Sequence, residues 1–263
     1  QNTTTLLRMT CMILTIFIFF NLNKTNFPQI DILIIKDILN IYFIAFLFFS
    51  FSVLVIINGM NFIDGLNGLF TLNLICQLFA MFYLTILFKD FEYQIIISSM
   101  IITMFIFLLF NLPFGKIFLG DLGAYFLALL MSMLIINFLM SMLIINFFGK
   151  YTEILSWNAI LILFYPAFEL LFSFIRKIYF EKKNPMQSDH KHLHSIMYRY
   201  FLKKSKNKQY SNNISSILLF LFWSSPLLIF FIYKRIDLII SAILFLIIIY
   251  ISTYIFFLNK LKK

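Results

Sequence analysis

The run ILNIYFIAFLFFSFSVLVII at residues 38–57, followed at once by NGMNFIDGLNGL at 58–69, decides how the rest of the chain is read. The first part, at ~20 apolar residues, is long enough for a helix to cross the hydrocarbon core of a bilayer. The second sets Asn58, Asn61, Asp64 and Asn67 three residues apart. On a helix, positions i and i+3 lie nearly above one another, so this spacing predicts a single polar stripe. Such a stripe at the end of a membrane helix is costly unless it faces water, a partner or a ligand. It is therefore the first candidate for chemistry.

Outward from that point the chain stays apolar almost throughout. Of its 263 residues 62% are hydrophobic, 37 are Phe and only 12% are charged, and the mean hydropathy is +0.95. No soluble core could bury so much apolar surface, so the bilayer is the expected solvent. The expected fold is an all-α integral membrane protein, one multi-pass domain over residues 1–263. Eight spans are expected, near 6–22, 38–57, 69–88, 93–112, 121–148, 154–175, 213–233 and 236–258. A basic loop, 176–212, separates the sixth from the seventh.

Eight spans place both termini on one side. With the 176–212 loop on that side, it holds 15 of the 21 Lys and Arg residues. The positive-inside rule then makes it cytoplasmic, and the 58–69 stripe falls at the same face. The net charge of +10 gathers at segment ends and in that loop. This suits a protein held against anionic headgroups and argues against a nucleic-acid partner. Cys11 and Cys76 sit in apolar runs and read as small hydrophobes. The nonapeptide LMSMLIINF at 130–138 recurs at 139–147. It lengthens the fifth span to ~42 Å against a ~30 Å core, and is read as a recent duplication or sequence artefact.

Three further clusters carry polar groups. In Phe118-Leu-Gly120-Asp121-Leu-Gly123-Ala124, a carboxylate between glycines suits a hard cation bridging to phosphate, because glycine allows close approach. The same Asp121 also suits the first turn of a helix. All three histidines lie in Asp189-His190-Lys191-His192-Leu-His194-Ser195, four residues before Arg199. No cysteine or further histidine completes a zinc site there. Imidazoles beside Lys191 and Arg199 suit phosphate oxygens; a solvated loop against headgroups is the plainer reading. Glu169, inside a span with Pro166, either lines a cavity or pairs with Arg176 two turns on.

Together, N-x-x-N-F-x-D-G-x-N-G-L at 58–69, F-L-G-D-x-G-A at 118–124 and D-x-x-H-L-H at 189–194 resemble the polyprenyl-phosphate N-acetylhexosamine-1-phosphate transferases, glycosyltransferase family 4. The resemblance runs from about residue 6 onward and implies an active site built from cytoplasmic loops at a bacterial inner membrane. It implies Mg²⁺, with Mn²⁺ as a substitute, on Asn61 and Asp121. It implies catalytic roles for Asp64, Asp121 and His192, and substrate contacts from Asn58, Asn67, His194 and Arg199. The implied reaction moves HexNAc-1-phosphate from a UDP-N-acetylhexosamine to a polyprenyl phosphate lipid, releases UMP, and starts a lipid-linked cell-envelope glycan such as O-antigen. A homodimer is compatible with it.

The chain departs from the family pattern at three places. Asn67 stands where many members carry Asp, and Ser195 where several carry a third His. The family's adjacent acidic pair, upstream of the first span, is absent, and the chain opens on Gln1. The expectation is that N-terminal helices and that pair precede this sequence in a complete enzyme. A non-catalytic remnant is the first competing reading. A secondary transporter is the second, although the clusters lie at one face rather than at the midplane of paired repeats.

Overall fold

The computed structural model describes residues 5–22, 27, 37–145, 152–185, 190–224 and 236–262, and among them there is no strand. Helix α1 spans Thr5–Leu22, α2 Tyr42–Ile63, α3 Leu69–Phe88, α4 Phe91–Asn111 and α5 Gly120–Ile145. Then come α6 (Thr152–Ile162), α7 (Phe164–Ile175) and a π-helical turn at Arg176–Phe180. The chain continues with α8 (Leu193–Ser205), α9 (Lys208–Leu219), a second π turn at Phe220–Ser224, and α10 (Ile236–Lys262). Local chemistry sets several boundaries. Asp90 caps α4 by accepting the Tyr93 N–H, and Asn207 caps α9 by accepting that of Tyr210.

Helices α2, α3, α4, α5 and α10 each contain a stretch long and apolar enough to cross a membrane. The protein is a multi-pass membrane protein. Five such helices stand among the described residues where eight spans are expected. The 69–88 span matches α3 end for end, and α1 and α4 lie within a residue or two of expectation. Helix α5 runs unbroken through Ile145, so the first part of the repeated nonapeptide continues the helix. The end of the repeat, the 225–233 part of the seventh span, and Asp189 lie outside the described residues.

The sixth expected span is two short helices, broken at Leu163. Pro166 has no N–H, so the Ile162 carbonyl loses its i+4 partner. Buried Gln77 of α3 supplies one, its Nε2 donating across 3.3 Å. An uncapped carbonyl in hydrocarbon would cost several kcal/mol, on the order of 2–7. Helix α3 is the most enclosed of the crossing helices and carries further internal polar ties. Asn73 Nδ2 donates to Ser224 Oγ at 2.6 Å, and Cys76 Sγ to the Ser224 carbonyl at 2.8 Å. By contrast α4 turns Ile95, Ile102, Ile106 and Leu109 outward, a face fit for lipid.

Two contacts set the distance between site-bearing helices. Gly59 of α2 lies directly against the backbone of Pro166 in α7, where an added Cβ would come within 2.7 Å of the Pro166 carbonyl carbon. Ala124, Ala128 and Met131 bury one face of α5 in the common core with Met60 and Ile63 of α2. The stretch 176–212 is no open loop: most of its described part is the π turn, α8 and the start of α9. Its apolar residues explain this, since Leu193, Ile196 and Met197 are buried on one face of α8.

Candidate active site

Helix α2 continues to Ile63, so Asn58 and Asn61 ride on its last two turns and Asp64 closes it, its N–H on the Asn61 carbonyl at 3.3 Å. The polar stripe stops there. Gly65 to Gly68 form a turn, and Gly68 takes φ +79°, a left-handed conformation that glycine adopts freely. Asn67 is therefore off the α2 stripe, contrary to the helical reading of all four positions. The Asn58 amide folds back onto its own helix and donates to the Leu54 carbonyl at 2.8 Å.

Side-chain amides clasp this turn to its neighbours. Buried Asn111 accepts the Gly68 N–H at 2.5 Å and donates to the Ile117 carbonyl at 2.7 Å, joining the 64–68 turn to the loop that leads to Asp121. Asn212 of α9 accepts the Asn67 N–H at 2.9 Å, and Gln209 donates to the Pro113 carbonyl at 3.3 Å. The Asn67 amide group packs on Gly115, where φ is +60° and a Cβ would lie 2.5 Å from Asn67 Nδ2.

The clasp brings Asp64 and Asp121 within each other's field. Burial, and then the Asp121 charge, push the Asp64 carboxyl up to about 7. Asp121 itself is 72% exposed in the first turn of α5, and Arg8 of α1 reaches it at 3.7 Å. Beside that pair a cleft of about 470 Å³ opens between α1, α2 and α5. Its walls are almost wholly apolar, Met12, Ile57, Phe126 and Leu129 among them, with Arg8 and Asp121 as its charged groups.

The histidines do not stand on an open loop. His192 and His194 are buried, and their rings stack in parallel at 5.5 Å. His192 also packs on Phe62 at 4.6 Å, and His194 Nε2 lies under Gly65, 2.5 Å from where a Cβ would be. Both rings thus meet the end of α2. Their anchor is Glu169, which does not pair with Arg176. Oε1 of Glu169 accepts the Leu193 N–H at 3.0 Å and lies 3.3 Å from His192 Nδ1. Oε2 accepts from Tyr250 at 2.7 Å. Arg176 instead meets Glu181 and Ser173, and Lys191 joins the same Glu181. Arg199, exposed, donates to the carbonyls of Ser195 and His190 of its own segment.

Burial holds the His194 ring neutral, its pKa lowered to about 4 against the pull of Glu169, with His192 adding to the lowering. A histidine lowered on folding makes the unfolded chain bind more protons between about pH 4 and 6.5. Its contribution to stability is present above pH 6.5 and is lost as pH falls through that window, by on the order of 3 kcal/mol. Asp64, raised on folding, acts in the opposite sense over part of the same range. The expected result is that His194→Asn flattens the acid loss of melting temperature seen in the parent between pH 7 and 4.5. An unchanged slope would return His194 to an ordinary solvated state.

The donor chemistry fits a hard divalent cation. Asp64 and Asp121 supply carboxylate oxygens, and Asn61 at the α2 terminus can add an amide oxygen. Burial raises the Asp64 carboxyl most, and the Asp121 charge adds a smaller repulsion that a cation would relieve. Among the described residues no cluster of three or more His, Cys, Asp or Glu is placed to hold a metal. Of the residues gathered here, Arg8, Asn111, Asn212 and Tyr250 carried no motif signal. Arg8 could have been found from its place one helix turn inside the first apolar run; the others make tertiary contacts with no local signature.

Residues 1–139 match the glycosyl transferase family 4 profile, and the chain belongs to that family. It is similar to the undecaprenyl-phosphate alpha-N-acetylglucosaminyl 1-phosphate transferase of Thermotoga maritima, 29% identical over 54% of this chain and 40% of that protein. It is also similar to the phospho-N-acetylmuramoyl-pentapeptide-transferase of Streptococcus sanguinis, 31% identical over 38% of this chain and 29% of that protein. The matches thus span well under half the length of these curated relatives. No solved structure matches.

Proposed function

We propose that this chain forms the reaction centre of a transferase that moves HexNAc-1-phosphate from a UDP-sugar to polyprenyl phosphate, with release of UMP. One observation carries the reading: motifs 58–69, 118–124 and the described part of 189–194 meet at one end of the bundle, beside an apolar-walled cleft that the Arg8 side chain also lines. A water-soluble donor and a lipid acceptor can meet only at such a boundary. The excess of Lys and Arg expected on that side supports a cytoplasmic orientation for that end, in a cell whose envelope glycans are built on lipid carriers.

Phosphoryl transfer asks the protein mainly to position the partners and to neutralise charge. Mg²⁺, when bound at Asp64, Asp121 and Asn61, supplies charge neutralisation on the donor diphosphate. Arg8 offers the acceptor phosphate a guanidinium next to the lipid cleft. The apolar wall holds the first isoprene units and keeps water from competing as nucleophile. The Asn111 clasp fixes the separation of Asp64 and Asp121. His192, packed on Phe62, borders the site at the end of α2.

The test is UMP release from UDP-GlcNAc by the full-length protein in vesicles containing undecaprenyl phosphate, with and without Mg²⁺. No lipid-dependent release would sink the reading. His192→Ala is expected to cost at least about tenfold in turnover. An unchanged rate would take His192 out of the reaction.

A further inference from the structure

Glu169 is the most deeply buried carboxylate among the described residues, at 1% exposure, and no part of the reaction above uses it. It belongs to α7, yet its partners come from elsewhere: the Leu193 N–H and His192 ring at the head of α8, and the Tyr250 hydroxyl of α10. The aromatic rings of Phe168, Phe172 and Trp223 surround that hydroxyl's ring at 4.9–5.4 Å and leave Tyr250 little freedom to move. Helix α7 is in turn locked to α2 at the Gly59–Pro166 contact. The chain of contacts therefore runs from α2, through α7, to the segment that carries both buried histidines, and returns to α2 at Phe62 and to the turn after it at Gly65.

We propose that Glu169 is a positioning residue: its carboxylate, fixed by Tyr250, pins the His192–His194 turn against the end of α2 and so aims His192 at the reacting phosphates. The geometry shows why a carboxylate is used. One oxygen must accept from the backbone at Leu193 while standing 3.3 Å from the His192 ring, and the other must accept from Tyr250. A carboxylate has acceptor capacity on both oxygens; an amide must turn its NH₂ toward one of these sites. Burial makes the mismatch expensive, because the orphaned group cannot turn to water. The aim of His192 rests on the reading that His192 serves the transfer; the pinning does not.

The experiment labels histidines with diethyl pyrocarbonate in the full-length protein and reads each site by mass spectrometry. His190, exposed, serves as the internal reference, whereas buried His192 and His194 react slowly in the parent. Glu169→Gln is expected to raise His192 labelling about tenfold while His190 is unchanged and the protein still unfolds cooperatively. Tyr250→Phe, which keeps the carboxylate and removes one of its anchors, is expected to raise it by about threefold. Protection of His192 unchanged in either folded variant overturns the proposal.

Kinetics separates positioning from general destabilisation. Glu169→Gln is expected to lower kcat by about tenfold with the donor KM within about twofold. In the His192→Ala background the same change should add less than about a further twofold, because its route of action is gone. Full additivity of the two substitutions would overturn the aiming role. If His192→Ala leaves turnover unchanged, the assignment of His192 to the reaction falls, and the labelling result still decides whether Glu169 pins the turn.

Discussion

Asp121→Asn in the full-length protein is expected to lower UMP release by at least about a thousandfold and to remove its dependence on Mg²⁺. The substitution keeps shape and removes one of the two carboxylate charges that feel each other's field where α2 ends and α5 begins. A centre that works by charge neutralisation has little to put in its place. The side chain is 72% exposed and its charged contact is Arg8 at 3.7 Å, so the fold should be indifferent to the change. Melting temperature, measured beside activity, checks this. A second consequence is electrostatic. Asp64 is raised first by burial and then by Asp121, so losing Asp121 should bring the Asp64 carboxyl down from about 7. Turnover retained in Asp121→Asn would remove the metal assignment.

Gly59→Ala is expected to cost about 3 kcal/mol or more of stability and to take activity with it. Overpacking is mild when a flexible side chain can yield, but here the new methyl would meet the Pro166 carbonyl, which is backbone. Helices α2 and α7 would have to separate. One carries Asn61 and Asp64, and the other carries Glu169 with the histidine turn docked on it. Gly123→Ala is the matched control, since its methyl would meet Leu119 side-chain carbons that can rotate away. Thermal unfolding of both variants in the same detergent separates them, and equal melting temperatures would show that α2 and α7 do not bear on one another as described.

The spans were legible because apolar runs and polar punctuation alternate at bilayer spacing, as α3 shows by matching its expected limits. Where a residue's neighbours are distant in sequence, legibility ended. Helix α2 runs beyond the expected membrane span, which ends at 57, to Ile63 because Met60 and Ile63 are buried, but it stops short of Asn67, which the helical stripe had included. Glu169 and Arg176 share a helical face at i and i+7, but the carboxylate prefers partners from α8 and α10 that spacing could not reveal. The break at Leu163 follows from Pro166, yet its tolerance depends on Gln77, 85 residues before the Ile162 carbonyl it serves. At the site, the glycine-flanked carboxylates stood out at once. The asparagines that hold them did not, for an amide bonding to a remote backbone leaves no local pattern.

The amide clasp at the bundle end has a practical corollary for building hybrids with relatives. Asn111 reads the backbone at Gly68 and Ile117, Asn212 reads that at Asn67, and Gln209 reads that at Pro113. The segments 64–68, 111–121 and 207–212 therefore behave as one interchangeable cassette in three pieces. Grafting one piece alone leaves donor and acceptor mismatched, whereas moving all three carries the geometry intact.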